Sequence, residues 1–413
     1  MNLLALLQAV FAAMFLLVAA PSGLAQTDTP HGQSDGAANA GQKNPASEDA
    51  APAVAKKPER LMVASWGGAY SESQKRAYFT PFQTETGIAI EVISHQGALG
   101  VLTAEDETRR PKWDLVDLDL AALERACREG ALEKVDASAL AAAGDGTSAS
   151  EDFFPGTLHE CGIPSVAWSS AIVFDKRAFK KNAPKNAGDF FDIKRFPGKR
   201  VLPWGPKYTL ELALMADGMA PEEVYAALAS DEGINRAFNM LGAIKDHIIW
   251  WDRAYEPLEL LASREAAMAL GFNGRIFSAI VAENKPFSVI WDAQVFDLDL
   301  WAIPKGSAHK DSALEFIAFA TKPDRLAHQA QMFPYGPVRK SALKLIGKHP
   351  QVDVEMAQYI PTSKNNFKRA LRLDVLWWQE HEAKLKARFG DWFIGEDAPE
   401  VSGADAESEN SPE

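Results

Sequence analysis

The sequence predicts an α/β protein of two lobes, each a mainly parallel sheet flanked by helices. Three observations carry that reading. Short apolar strand patterns alternate with helix patterns through the first half of the chain, which implies parallel strands joined by right-handed crossovers. Two later strand-like stretches, residues 165–174 and 289–303, stand where the chain would cross from one lobe to the other. The 413 residues, 47% of them hydrophobic, also exceed the ~250–300 at which a single core stops growing.

The elements follow in chain order. Residues 61–65 form an apolar strand that runs into Trp66, Gly67 and Gly68. Ser71 is expected to cap a helix reaching Thr86, with Gly87 as its stop. Residues 88–93 read as the second strand, 97–110 as a helix, 113–118 as the third strand, and 120–129 as a helix ended by Gly130. A further helix over 311–320 stops before Pro323. In open parallel sheets, ligands sit beyond the carboxyl ends of the strands. That rule selects Trp66, Gly67, Gly68 and Tyr70 after the first strand, and Asp117 and Asp119 after the third. Glycine at such a place lets backbone N–H groups approach a ligand closely.

Neither end of the chain reads as fold. Residues 3–20 are apolar except for Gln8, and Pro21 and Gly23 precede a small-residue site ending at Ala25. The expectation is a signal peptide over 1–25, cut after Ala25, and a periplasmic protein. The alternative is an uncleaved anchor, because this apolar run could just span a bilayer and no Lys or Arg precedes it. Residues 26–59 lack Leu, Ile, Phe, Trp and Tyr and are expected to be a disordered linker. Lobe 1 is assigned to 60–165 plus about 301–330 and lobe 2 to 166–300 plus about 331–393. Residues 394–413 are assigned to a disordered acidic tail, with seven acids and no Lys or Arg from Glu396 onward. Taking those seven charges from the formal −13 leaves −6, so the body is only mildly acidic.

Composition excludes several classes. A net negative chain lacks the basic footprint of a nucleic-acid binder. Two cysteines cannot make a disulfide-dense scaffold or a thiolate metal cluster. In an oxidising compartment Cys127 and Cys161 are expected to form one disulfide; the alternative is two separate buried thiols. The nucleophile-elbow, phosphate-loop and dinucleotide motifs are absent. His381 and Glu382 begin a zincin-like pattern, but position 385 is leucine. The eight histidines are dispersed without metal-ligand spacing, so no metal or cofactor is expected. Asp117 with Asp119, and Asp297 with Asp299, are paired acids that lack the glycine and spacing of a calcium loop. No enzyme activity is expected.

The eleven tryptophans stand out. Trp66, Trp168, Trp204, Trp250, Trp251, Trp291 and Trp301 lie beside acids or at expected loop mouths, whereas Trp377 and Trp378 fall in a charged helical pattern that marks packing. Aromatic faces with carboxylates suit an alkylammonium group through cation–π attraction and charge-assisted hydrogen bonds. The competing reading for each tryptophan is ordinary core.

The run SWGGAY at 65–70, Phe82 followed by Gly87, WDLVD at 113–117, PKG at 304–306 and FPYG at 333–336 together resemble the periplasmic spermidine/putrescine-binding proteins of ABC importers. The resemblance covers residues 60–393 and implies the periplasmic-binding-protein fold, closing on a solute and delivering it to an inner-membrane permease. It places pocket aromatics at Trp66 and Phe272, a polar residue at Asp119, an amine-holding acid at Asp299 and a tyrosine at Tyr335. Two positions depart from the family pattern: Tyr208 stands for a glutamate and Arg275 for an aspartate. The expected function is therefore capture of a small amine-bearing solute by a monomer. Putrescine or spermidine leads, and a zwitterion such as 4-aminobutyrate or an amino acid is the alternative. Iron(III) binding, a secreted hydrolase and an adhesion module are further alternatives. Whether Arg275 faces the pocket or turns away into a surface ion pair is open at this level.

Overall fold

The computed structural model describes residues 60–95 and 111–395. The expected signal peptide, the linker, the helix over 97–110 and the tail beyond Gly395 lie outside the described residues. One mixed sheet organises the fold. Its strands are β1 (Arg60–Ser65), β2 (Ala89–Ser94), β3 (Leu115–Asp119), β4 (Ile163–Asp175), β5 (Arg200–Pro203), β6 (Ile248–Trp251), β7 (Met268–Phe272), β8 (Phe287–Ala302) and β9 (Leu371–Arg372). The order is β2-β1-β3-β8-β4-β7-β5-β6, with β9 added beside β8.

Each half of this sheet is parallel. β1 pairs in parallel with β2 and β3, and β5 does so with β6 and β7. The long strands β4 and β8 lie antiparallel at the centre, paired from Ile163 opposite Trp301 to Asp175 opposite Phe287. They overlap the two stretches expected to cross between lobes; β8 pairs with β3 on one side, and β4 pairs with β7 on the other. β4 is buried along nearly its whole length, apolar residues interspersed with the buried Ser165, Ser169 and Ser170.

The first crossover differs from expectation at its start. Gly67, not Ser71, is the N-cap of the helix Gly68–Gln74, which continues through a π turn at Lys75–Phe79 into Thr80–Thr86. Gly67 has φ 80°, and a Cβ there would stand 2.7 Å from Ser94 Oγ. The chain thus turns straight from strand to helix where only glycine fits. The Ser71 hydroxyl instead accepts the Gly67 N–H at 2.8 Å and donates to Ser65 Oγ. Gly87, at φ 75°, ends the segment as expected.

The helix Leu120–Arg128 is capped by Asp119, whose carboxylate accepts the Ala122 N–H at 2.7 Å. Near its other end Cys127 is disulfide-bonded to Cys161, just ahead of β4. The helix Lys310–Ala320 is followed at once by Pro323–Met332, with the proline at a position where a missing N–H costs nothing. Phe316 packs with Phe79, Phe82 and Trp301, all essentially buried. Trp301 is therefore core. Trp378 is also buried, within the helix Val375–Ile394. Among the described residues no helix is long and apolar enough to cross a membrane.

Candidate ligand-binding cleft

The carboxyl ends of β1, β3 and β7 converge on a cavity of about 1050 Å³. Segments that follow parallel strands in both halves of the sheet thus line one space, as the strand-end rule requires. Trp66, Gly67, Gly68, Tyr70, Asp119, Phe272, Arg275, Asp299 and Tyr335 all reach it. Tyr208 does not lie on its wall. Tyr208 packs edge-to-face on Phe272 at 6.1 Å, held in a left-handed conformation (φ 66°) that is rare for a residue with a side chain.

Carboxylates crowd one side. β3 and β8 place Asp119 directly opposite Asp299, and Asp117 opposite Trp301. Asp117 is fully buried behind the wall, where it accepts the Tyr70 hydroxyl at 2.9 Å and the Gln74 amide at 2.6 Å. Asp299 accepts the Trp168 indole N–H at 3.1 Å. Burial pushes the Asp299 carboxyl well above the usual range, and the nearby charges of Asp117, Asp119 and Asp297 push it further. Burial likewise raises Asp117, and it raises Asp297 to about 7. Such a group of acids is costly when ionised alone and gains when a cation joins it.

Aromatic rings wall the space. Trp168 meets Phe272 edge-on at 5.6 Å, and Tyr335 contacts both Tyr70 and Phe333. Asn273 fixes this geometry: its side-chain oxygen accepts the Ser169 N–H and its amide donates to the Pro334 carbonyl. That ties β4 to the turn carrying Phe333 and Tyr335. A Cβ at Gly274 would stand 3.1 Å from the Tyr335 ring, so the small residue permits the close approach. Trp66 stacks obliquely on His95 at 4.6 Å. Neither Asn273 nor Phe333 was singled out from the sequence. Phe333 opens the FPYG run and Asn273 follows Phe272, and only the fold shows that the two segments meet.

Arg275 faces the cavity from the short helix Asn273–Phe277 that follows β7, and is exposed. Among the described residues, no ion pair or hydrogen bond engages its guanidinium. Its charge acts at Tyr335, opposing the rise that burial imposes on that hydroxyl. The remaining candidate tryptophans serve elsewhere. Trp251 lies beneath Phe272, Trp204 and Trp250 pack against Phe389, and the Trp291 indole donates to the Gln358 carbonyl. Among the described residues, the one grouping with metal-ligand spacing is Cys127, His159 and Cys161, and the disulfide consumes its thiols.

A sheet of this order, with a cleft at the carboxyl ends of strands from both halves, is the architecture of periplasmic binding proteins. The chain belongs to the bacterial extracellular solute-binding protein family, whose model matches residues 77–358. It is 35% identical to the gamma-aminobutyric acid-binding protein of Pseudomonas aeruginosa over 81% of this chain and 91% of that one. It is 24% identical to the spermidine/putrescine-binding periplasmic protein of Escherichia coli over 74% and 86%. Among solved structures it is similar to the Atu4243-GABA receptor, with 29% identity, a TM-score of 0.64, and 81% and 97% of the two chains covered. It is a solute-binding protein, not an enzyme.

Proposed function

We propose that the protein captures a small zwitterion of the 4-aminobutyrate type and delivers it to an ABC permease of the inner membrane. The observation that carries this reading is the pairing of opposite charges in one cleft. Asp119 and Asp299 stand among aromatic walls, and an exposed Arg275 shares the same cavity without an ion-pair partner among the described residues. An ammonium set against Asp299 meets an anion and ring faces. A carboxylate at the ligand's other end can take the planar fork of Arg275. A diamine would instead bring its second cation to a guanidinium. The greater similarity to a 4-aminobutyrate-binding relative than to the polyamine-binding one supports the same reading.

The four raised or crowded carboxylates support the polyamine reading as a second possibility, since they could hold more than one positive charge. Calorimetry separates the two. The parent protein is expected to bind 4-aminobutyrate more tightly than putrescine. Arg275→Ala is expected to weaken 4-aminobutyrate at least about 10-fold and to leave putrescine unchanged or tighter. Asp299→Asn is expected to weaken every amine. If putrescine binds more tightly to the parent, the zwitterion reading is wrong; if Asp299→Asn changes nothing, this cleft is not the amine site.

A further inference from the structure

Trp168 lies outside the residues that resemblance or strand-end position selects, yet three observations converge on it. It lies on β4, directly opposite Asp297 of β8 and two pairs from Asp299. Its indole N–H donates to Asp299 Oδ1 at 3.1 Å. Its ring lines the cavity and meets the Phe272 ring edge-on. We infer that Trp168 sets the amine end of the cleft: its N–H fixes the Asp299 carboxylate in the orientation that meets an ammonium, and its ring closes the wall beside Phe272.

This inference rests on the amine-to-Asp299 reading above and adds how that carboxylate is held. The crowding explains why a donor is needed there. Asp299 faces Asp117 and Asp119 from β3 and Asp297 from its own strand, with Tyr70 and Tyr335 nearby and Arg275 beyond Tyr335. Every one of the acids opposes ionisation of Asp299. The Trp168 N–H is a hydrogen-bond donor to the charged form, which favours that form. A donor fixed on a neighbouring strand also spares the carboxylate from reorienting when ligand arrives.

The test is calorimetric titration of 4-aminobutyrate from pH 5 to 8 into the parent, Trp168→Phe and Trp168→Gln. Trp168→Phe keeps an aromatic ring and removes the donor. It is expected to weaken binding about 10-fold at pH 7. The acid limb of the affinity profile should move to higher pH, because Asp299 then needs a higher pH to ionise. Trp168→Gln restores a non-titrating N–H without the ring and is expected to return the acid limb toward the parent's position while affinity stays reduced. If Trp168→Phe does not fold, Trp168→Leu, which also lacks a donor, takes its place: an acid limb moved to higher pH supports the inference, and an unmoved limb overturns the positioning role. Binding weakened in Trp168→Phe without movement of the acid limb overturns the positioning role. Unchanged affinity in Trp168→Gln, which lacks the ring, overturns the wall. Failure of the parent to bind 4-aminobutyrate is a separate result that strikes the proposed function.

Discussion

Asp297 is a buried acid beside the cleft with one near hydrogen bond, from the Leu298 N–H at 2.8 Å. Burial lifts its carboxyl to about 7, the Asp119 charge adding and the Leu298 N–H, Lys207 and Arg372 opposing. A folded-state value above the unfolded one means that the protonated acid favours folding. That contribution is complete below the unfolded carboxyl range near ~4 and is lost as pH rises through about 7. Asp297→Asn removes the loss, so its melting temperature is expected to exceed the parent's by more at pH 8 than at pH 5. Differential scanning fluorimetry of ligand-free protein checks this, and an equal difference at both pH values would show that Asp297 is freely ionised in the fold. The same physics makes the empty cleft a poor host for its own charges and a good one for an ammonium.

At the scale of elements, the helix Leu120–Arg128 links cleft to scaffold. Asp119 caps its start at the cavity, and Cys127 anchors its last turn to Cys161 before β4. The bond closes a loop between residues 34 apart, which stabilises by about 3–4 kcal/mol in the chain-entropy account. Cys127→Ser with Cys161→Ser is expected to lower unfolding free energy by that order in urea titration. The effect on 4-aminobutyrate affinity should be smaller, because the Asp119 cap is made within the helix itself. Labelling of the denatured, unreduced parent is expected to find no free thiol. Two labelled cysteines would refute the bond.

At the scale of the whole molecule, β4 and β8 are the shared spine of two parallel half-sheets, and the cleft draws on both halves. We propose that the halves are the two lobes and that they close on ligand about this strand pair. The pairing is interrupted between Ser170 and Ile172, opposite a stretch of β8 where Ala293 has φ 60°. Irregular pairing of this kind locally bends a strand. Small-angle scattering is expected to show a smaller radius of gyration with saturating 4-aminobutyrate than without it. An unchanged radius at proven saturation would argue for a cleft that is already closed. Export belongs to the same reading: periplasmic protein is expected to begin at Gln26, which intact-mass measurement reads directly.

Much of this was legible from local pattern. Alternating strands and helices, the stop at Gly87, the two long central stretches and the pairing of the cysteines need only periodicity, glycine's freedom at positive φ and a count of two. The strand-end rule and the resemblance together named nine of the 23 residues that line the cavity. Four things needed the tertiary structure. A glycine pair, not a serine, starts the first helix, because the limit there is the space beside Ser94. Trp301 is core while Trp168 reaches the cleft, although both lie on long central strands, because pairing register decides which face a side chain takes. Asn273 binds the Phe333–Tyr335 turn to β4 across 61 residues of sequence to the Pro334 carbonyl. Arg275 lines the cavity and makes no ion pair among the described residues. Sequence fixes which residues prefer a strand, a cap or a buried face; it carries no distance between residues far apart in the chain, and the cleft is made of such distances.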